Sequence, residues 1–594
     1  GTPRRRPSVP PRRIRLGDPR RRLHAALLVT AMVLSLFATR LFQLQGLEAS
    51  AYAESAANDR LTSVKMPARR GTIFDTHGVA LATSVEARDL VVDPSLVAEP
   101  LRRPAAEMLA NLLDRDVDEV MARLSAKGRF SYVAKGLPPE LARAAVRAEI
   151  PGTDGERVPT LQMRRAYERV YPAGKLASNV VGFVGVEGKG LAGLEYALQD
   201  QLAGRDGERT YERGAGGRTI PLGRSTGQDA VPGRDVRLSL DRDIQWTAQE
   251  AVTAAVRQTK AESGTVVVLD VKTGHIYALA TAPAFDPNGP VGRDAELGNR
   301  ALSEAYEPGS TGKIITAAAL VEEGAVRPGT RFTVPNRLRR ADKSFKDWAD
   351  HPTQKLTFAG TLAKSSNIGT ILAAERLGFE QLHPYMKAFG IGEPTGLGFP
   401  GETTGALPDP RTWSSTTGYT LAFGQGYAVN TVQMASVFAT VANGGVRVAP
   451  TLVEGWTDAE GVYRPAAPGK RTRVVSEATA RTVARMMEGV VGEGGTAPSA
   501  NIPGYRVAGK TGTAQRYDAS CGCYRGFTMS FLGFAPADAP RLVVGVTLQK
   551  PRNGIGGGAS AGPVFHEVMS FALSSLRIPP TGAEPPKVRL EWGR

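Results

Sequence analysis

A run of about twenty apolar residues near the N-terminus most restricts how this chain can fold. Leu23–Phe42 (LHAALLVTAMVLSLFATRLF) follows three consecutive arginines. Its length matches the hydrocarbon core of a bilayer, and the arginine excess before it predicts that the N-terminus faces the cytoplasm. We therefore expect an uncleaved, single-pass signal anchor, with the body of the chain on the outer face of the cytoplasmic membrane. A cleaved signal peptide is one alternative, but the small-residue cleavage sites lie too far after the apolar run. A buried core helix is the other, and the arginines directly before the run disfavour it.

The positive charge of the chain is concentrated in its first residues. Residues 1–22 hold nine arginines and one acid, so the formal net charge of +16 falls to +8 without them. This Pro/Arg-rich tail is predicted to be disordered, whereas the thinly charged body argues against nucleic-acid binding. With two cysteines and six scattered histidines, the sequence predicts no disulfide framework, no metal site and no cofactor.

Composition changes near residue 236. Before it, the apolar spacing of Pro104–Leu124 predicts a helix opened by its proline, and glycines become frequent. After it, Gly264–Asp270 and His275–Ala280 flank a turn and predict a β-hairpin. Helical and strand-like segments then alternate, which predicts an α/β layered domain.

The motif YEPGSTGK at 306–313 leads into an apolar stretch. Its Pro-Gly pair predicts a turn and the apolar pattern predicts a helix, so Ser310 and Lys313 are expected on one face of the first turn. A serine hydroxyl becomes a good nucleophile when a neighbouring base takes its proton, and a desolvated lysine can be that base. Taken alone the pair is weak evidence, because Ser-x-x-Lys also arises by chance.

Two further motifs carry groups suited to a peptide substrate. The Ser-Ser-Asn sequence at 365–367 offers a hydroxyl that can relay a proton and an amide that can bind a peptide, although such a tripeptide is more often a helix cap. In Val507–Ala514, Gly512 permits close approach of another backbone, while Lys510 and Thr513 supply a cation and a hydroxyl for a carboxylate. Alone, this segment is more typical of a surface turn.

Ser-x-x-Lys, Ser-x-Asn and Lys-Thr-Gly in this order resemble the signature of active-serine penicillin-recognising enzymes. The sequence is most similar to the class B penicillin-binding proteins, and the resemblance runs from Arg69 to Phe565. It also includes Arg-Gly-x-Ile-x-Asp at 70–75, Tyr-Pro at 171–172, GLAGLE at 190–195, Asn-Arg-Ala at 299–301, FGQG at 423–426 and ANGG at 442–445.

The resemblance implies an α/β fold with a penicillin-binding transpeptidase (serine β-lactamase-like) domain. In that domain an antiparallel sheet is flanked by helices, and it stands on an elongated α+β N-terminal pedestal anchored by one transmembrane helix. We accordingly expect a pedestal of the dimerisation type at 43–235, the transpeptidase domain at 236–576 and a Pro-rich C-terminal tail at 577–594.

The activity that the resemblance implies is that of a peptidoglycan D,D-transpeptidase. Ser310 would attack the carbonyl between the two terminal D-alanines of a stem peptide, and an amine of a neighbouring stem would then take the acyl group. Backbone N–H groups of Ser310 and Thr513 would form the oxyanion hole. The implied catalytic residues are Ser310, Lys313, Ser365 and Lys510, and the implied substrate-binding residues are Asn367, Thr511, Gly512 and Thr513.

The partners implied by the resemblance are D-Ala-D-Ala stem peptides, β-lactams, a membrane lipid II polymerase and other division proteins. The Arg-rich tail, the single anchor and the absence of an appended C-terminal domain in this sequence favour septal division over side-wall elongation. A D,D-carboxypeptidase and a β-lactam-binding scaffold with little catalysis stay open as alternatives. The sequence lacks the motifs of a class A bifunctional enzyme and of a β-lactamase.

Three local features complete the expectations. Gly312 stands where the family has a bulkier residue, which is expected to loosen the helix by about 1 kcal/mol. The charged residues Arg70, Asp75 and Glu195 of the pedestal motifs are interpreted as structural ion-pairing groups. Cys521–Cys523 has one intervening residue, which strains a disulfide, but two thiols this close can still pair.

Overall fold

The computed structural model describes residues 19–47, 61–212, 225–290, 292, 296–518, 520–552 and 556–593. These residues form two compact units. The first holds the described residues up to Met66 together with those of Asp206–Ala230, and the second holds Pro67–Arg205 and the described residues from Val231 onward.

The first unit begins with the apolar helix. Helix α1 (Pro19–Phe42) continues into a π-helical turn, Gln43–Leu47. Among the described helices, Pro19–Leu47 alone has the length and the apolar composition of a membrane span, as expected; the mean hydropathy of an 18-residue window within it is 2.0. The helix includes residues 19–22 of the tail expected to be disordered, because Pro19 is well placed to open a helix and arginine is a good helix former. Residues 1–18 of that tail lie outside the described residues.

A small antiparallel sheet completes the first unit. Its strands are β1 (Leu61–Met66), β6 (Gly207–Glu212) and β7 (Ser225–Gln228), in the spatial order β1-β6-β7.

The second unit contains a seven-stranded sheet built from distant parts of the chain. Its strands are β2 (Ile73–Phe74), β3 (Ala80–Val92), β4 (Ser131–Leu137), β5 (Gln162–Val170), β8 (Asp235–Leu238), β16 (Val453–Thr457) and β17 (Tyr463–Pro465). All of the strand pairs are antiparallel except β2 with β8, and β5 pairs with β3 beside the main path. Because β16 and β17 follow residue 236, this sheet joins segments on both sides of the boundary expected there.

Helices α2 (Glu99–Leu113), α3 (Val117–Leu124) and α4 (Pro139–Arg147) share an apolar core with β3 and β4. The single helix expected at Pro104–Leu124 is wrong. Instead α2 begins earlier, and the chain turns at Asp114, whose φ of 51° is left-handed, before α3 starts. Short helices α5 (Ser178–Val181), α6 (Gly193–Ala197) and α7 (Gln199–Leu202) follow.

A buried carboxylate holds two arginines in this region. Glu195 has no exposed surface, and its two oxygens accept from Nε of Arg70 at 2.6 Å and Nε of Arg169 at 2.7 Å. The interpretation as an ion pair is therefore confirmed for Arg70 and Glu195. It is wrong for Asp75, whose buried carboxylate accepts the backbone N–H groups of His77 and Val79 and shapes a turn.

We expect Glu195→Gln to lower the free energy of unfolding by about 3 kcal/mol, because two buried guanidinium groups would lose their counter-charge. Urea unfolding of the full chain measures this change. Glu107→Gln is the matched control, since Glu107 forms an exposed i,i+4 pair with Arg103, and exposed pairs contribute little to stability. Equal unfolding midpoints for the two variants would contradict the structural importance of the buried pair.

The sheet that carries the site has five antiparallel strands: β9 (Ser263–Asp270), β10 (Ile276–Ala282), β19 (Ala508–Asp518), β20 (Cys523–Ala535) and β21 (Leu542–Gln549). Their spatial order is β10-β9-β21-β20-β19. The hairpin expected around residue 272 is present as β9 and β10, and Asp270 accepts the N–H groups of Lys272 and Thr273 in its turn.

Helices cover both faces of this sheet. On one face α8 (Arg242–Thr259) and α17 (Gly557–Ser575) enclose an apolar core with alternate residues of the strands. On the other face lies α15 (Thr431–Ala442), which is buried throughout and is opened by a capping box. The antiparallel sheet flanked by helices is thus confirmed.

A mainly helical region on the α15 side completes the unit. Its helices are α9 (Arg300–Ser303), α10 (Lys313–Glu322), α11 (Phe358–Ala363), α12 (Asn367–Ala374), α13 (Leu382–Ala388), α14 (Thr417–Ala422) and α16 (Glu477–Glu488). Its strand pairs are β11 (Arg331–Val334) with β14 (Gln354–Thr357), β12 (Arg337–Arg340) with β13 (Lys343–Lys346), and β15 (Val446–Val448) with β18 (Arg471–Arg473).

Candidate active site

Ser310 lies in a tight turn directly before a buried helix. The 3₁₀ turn Gly309–Gly312 continues into α10, so Lys313 follows Ser310 by one turn, as expected from the spacing. Thr311 secures the turn by donating its hydroxyl to the Pro308 carbonyl at 2.8 Å. Among the residues that the structure describes, the Ser310 hydroxyl has no hydrogen-bond partner, which leaves it available to a substrate.

Gly312 is explained by the packing behind this turn. A Cβ atom at Gly312 would lie 2.2 Å from the hydroxyl oxygen of Tyr427 and 3.0 Å from Cα of Gly424. The expected loosening of the helix applies to a glycine in the interior of a helix. Gly312 precedes α10, so it does not loosen the helix by this mechanism. The small residue instead makes room for the Tyr427 ring.

We expect Gly312→Ala to destabilise the chain by about 2 kcal/mol through overpacking. Tyr427→Phe should be nearly neutral, because its buried hydroxyl has no hydrogen-bond partner among the described residues. The double variant should regain at least half of the loss, since the closest clashing atom is gone. Thermal melting of the three variants tests this, and a double variant no more stable than Gly312→Ala would contradict the steric explanation.

The Ser-Ser-Asn motif lies at a break between α11 and α12. Ser365 has a left-handed φ of 61°, and Ser366 caps α12 by accepting the Gly369 N–H at 2.9 Å. The helix-cap interpretation is therefore correct for Ser366, whereas the side chains of Ser365 and Asn367 contact Lys510 and Lys313. Asn367 accepts from Nζ of Lys313 at 2.8 Å through its side-chain oxygen.

Asp347 holds this motif in place. One carboxylate oxygen accepts the backbone N–H groups of Asn367 and Ile368, and the other accepts the Ser366 hydroxyl at 2.7 Å. His351 contacts the second oxygen at 3.1 Å. Sequence reasoning missed Asp347, because an aspartate 18 residues before a motif gives no local signal.

The third motif occupies β19, the edge strand of the five-stranded sheet. Lys510 reaches Oγ of Ser365 at 2.8 Å. The Thr511 hydroxyl lies 3.0 Å from that of Thr496, and Thr513 accepts the Gly557 N–H at 3.2 Å. A Cβ at Gly512 would meet Oγ of Ser530 at 2.2 Å, so this strand packs too closely for a larger residue there.

The two lysines surround Ser365 in a buried setting. Nζ of Lys313 donates to the Ser365 carbonyl at 2.6 Å, while Nζ of Lys510 donates to the hydroxyl of the same residue. Burial lowers the pKa of Lys313 to about 7, against the opposing effect of the Asp347 carboxylate. Burial, together with the charge of Lys313, lowers the pKa of Lys510 well below its ordinary value.

This arrangement supplies a base at neutral pH. A neutral lysine amine has two N–H donors and one lone pair, and the Ser365 carbonyl and the Asn367 side chain accept two donors of Lys313. The lone pair is then free to accept the proton of a serine hydroxyl. Three motifs that are more than 50 residues apart in sequence thus place Lys313, Ser365 and Lys510 in one hydrogen-bonded group.

A disulfide lies at the tip of the β19–β20 hairpin. Cys521 and Cys523 are paired, which settles the alternative left open by their spacing. The next residue, Tyr524, donates its hydroxyl to Glu307 at 3.1 Å, and Glu307 also accepts the Gly426 N–H. Burial raises the pKa of Glu307, and its contacts join the hairpin to the segment before the nucleophile.

A serine one turn before a buried lysine, with a second serine shared by two lysines, defines an active-serine enzyme of the penicillin-recognising class. Comparison with known sequences agrees. Residues 264–570 match the penicillin binding protein transpeptidase domain, and residues 65–238 match the penicillin-binding protein dimerisation domain. The chain belongs to the penicillin-binding protein transpeptidase family, and within it to the class B proteins.

Individual relatives match over most of the chain. The penicillin-binding protein PbpB of Mycolicibacterium smegmatis is 36% identical over 586 residues, covering 92% of this chain and 89% of the relative. The peptidoglycan D,D-transpeptidase FtsI of Escherichia coli is 33% identical, covering 86% and 84%. A crystal structure of penicillin binding protein 3 from Mycobacterium tuberculosis complexed with aztreonam superposes with a TM-score of 0.69 at 32% identity, covering 89% of this chain and 100% of the other.

Proposed function

We propose that the chain is a serine-type peptidoglycan D,D-transpeptidase that cross-links stem peptides ending in D-Ala-D-Ala and is acylated by β-lactams. The observation that carries this proposal is the pair of buried lysines around Ser365, since it supplies a base one helical turn after Ser310 and a hydroxyl that can relay its proton. The similarity to a D,D-transpeptidase and to a protein solved with aztreonam supports the substrate and the inhibitor class.

In the acylation step, Oγ of Ser310 forms a bond to the carbonyl carbon between the two D-alanines, and its proton passes to Nζ of Lys313. Backbone N–H groups of Ser310 and Thr513 stabilise the oxyanion, a contribution of about 3 kcal/mol for one such donor. The C–N bond then breaks. The leaving nitrogen takes the proton of the Ser365 hydroxyl, which is replaced from Lys313, while Lys510 orients that hydroxyl.

The second step reverses the first with a different amine. An amine of a neighbouring stem attacks the acyl carbon, loses a proton to the same relay, and the Ser310 ester bond breaks as the cross-link forms. Asn367 binds the backbone amide of the stem, and β19 is the edge to which an extended peptide adds. Thr511, Gly512 and Thr513 lie on this edge, next to where the terminal carboxylate binds.

A single-pass anchor places the reaction at a membrane. The apolar helix α1 and the arginines before it support an orientation in which the catalytic region lies on the outer face. The similarity to FtsI and PbpB supports a role in septal cell-wall synthesis, beside a membrane lipid II polymerase and other division proteins.

A product assay with the full chain in detergent tests the proposal. Donor pentapeptide stems with an acceptor amine should give D-alanine and a cross-linked dimer. D-alanine without a dimer would instead indicate a D,D-carboxypeptidase. Penicillin acylation without any release of D-alanine would indicate a β-lactam-binding scaffold. No penicillin acylation of the folded chain would overturn the enzyme class itself.

A further inference from the structure

The end of the chain returns to the helix that presents Ser365. Residues 588–592, which we call the C-terminal strap, run antiparallel to β14. The Thr357 N–H donates to the Leu590 carbonyl at 3.0 Å, and the Trp592 N–H donates to the Lys355 carbonyl at 3.1 Å. The strap therefore adds a third strand to the pair of β11 and β14, and β14 leads directly into α11.

The strap holds both ends of α11. At its N-terminus, the Thr357 hydroxyl caps the helix and donates to the Arg589 carbonyl at 2.6 Å. A Cβ at Gly360 would lie 1.8 Å from the Leu590 carbonyl oxygen, so the strap backbone rests directly on the first turn. At the C-terminus, Lys364 forms an ion pair with Glu591 at 2.6 Å.

The contact between Glu591 and Lys364 lies directly beside Ser365 in the chain. Lys364 immediately precedes Ser365, whose left-handed backbone places its carbonyl on Lys313 and its hydroxyl on Lys510. A six-residue helix is too short to be stable by its own hydrogen bonds, so its position depends on what packs against it. Leu590 supplies part of that packing through its backbone at Gly360, and its side chain lies 3.4 Å from where a Cβ would be at Gly489, at the end of α16.

The strap is also tethered to the opposite side of the sheet. Helix α17 ends at Ser575, and the Tyr505 hydroxyl donates to the Ile578 carbonyl at 2.6 Å just beyond it. The ten residues from there to the strap contain two Pro-Pro pairs, which favour an extended, semi-rigid spacer. The chain thereby joins the sheet's α17 face to α11.

We propose that the C-terminal strap is a positioning element of the active site: it fixes α11 so that Ser365 stays in contact with Lys313 and Lys510. Glu591 is its positioning residue, acting through Lys364. The inference rests on the proposed function, because it takes Ser365 as part of the proton relay. It predicts that loss of the strap slows the covalent step and leaves the initial binding of a β-lactam unchanged.

The test measures acylation of the full chain by a fluorescent penicillin, separating the dissociation constant of the first complex from the acylation rate constant. Removing residues 588–594 should lower the rate constant at least tenfold with an unchanged dissociation constant. A peptide of residues 585–594 added in trans should restore the rate. Lys587→Ala is the control, since Lys587 is exposed and precedes the strap; its rate should stay within twofold of the parent.

Exchanging the charges of the Lys364–Glu591 ion pair tests the proposal without shortening the chain. Lys364→Glu and Glu591→Lys should each slow acylation at least threefold, and the double exchange should return to within twofold of the parent. Melting temperatures identify the variants that are folded. A folded strap-less chain with the parental rate, or single exchanges without effect, would overturn the inference. A parent chain that is not acylated at all would overturn the proposed function instead.

Discussion

Replacing Ser310 by alanine is expected to abolish covalent labelling of the full chain by a fluorescent penicillin. The hydroxyl of Ser310 is the nucleophile in the proposed mechanism. A water molecule that attacked the β-lactam in its place would leave no covalent bond between the label and the protein. The acylation rate should fall at least about a thousandfold. Gel fluorescence after labelling, with the melting temperature as a check of folding, measures this result.

Two further variants make the Ser310 result specific. Ser414→Ala removes an exposed hydroxyl from a surface loop and should leave labelling unchanged. Ser365→Ala should slow labelling and leave the nucleophile in place, because it removes the relay hydroxyl between the two lysines. Labelling of Ser310→Ala at the parental level would mean that another residue is acylated, and the assignment of the nucleophile would be wrong.

Local sequence patterns predicted the fold where the stabilising contacts are themselves local. The β9–β10 hairpin follows from two apolar runs around a turn, and both strands pair with each other directly. The helix expected at Pro104–Leu124 was misplaced, because apolar spacing continues through the turn at Asp114. The pairing of β8 with β16 joins residues more than 200 positions apart, and no turn or repeat marks it.

The same distinction applies to the site. Each of the three motifs is contiguous, so its reactive residues could be named from the sequence, and the structure brings Lys313, Ser365 and Lys510 together. The residues that orient them were not predictable in this way. Asp347 and Glu591 act on the motif from separate segments, through a carboxylate that accepts backbone N–H groups and through one ion pair.

The buried amine of Lys313 makes a second large effect predictable, in the pH dependence of acylation. Its pKa is lowered to about 7 by burial, so the amine is protonated below that pH and cannot accept the Ser310 proton. The acylation rate should therefore rise with pH through about 7 and fall roughly tenfold for each pH unit on the acid side. Stopped-flow labelling between pH 5 and 8.5 measures the profile.

Variants of the two active-site lysines assign that profile to one group. Lys313→Ala should slow acylation about a thousandfold and remove the rise near pH 7, because the base itself is gone. Lys510→Ala should slow acylation but keep the rise, and Lys387→Ala, at an exposed position of α13, should match the parent. If the rise instead survives in Lys313→Ala and disappears in Lys510→Ala, Lys510 is the base. Both amines contact Ser365. In that case the same three side chains would still form the relay, but the proton would pass along them in the opposite direction.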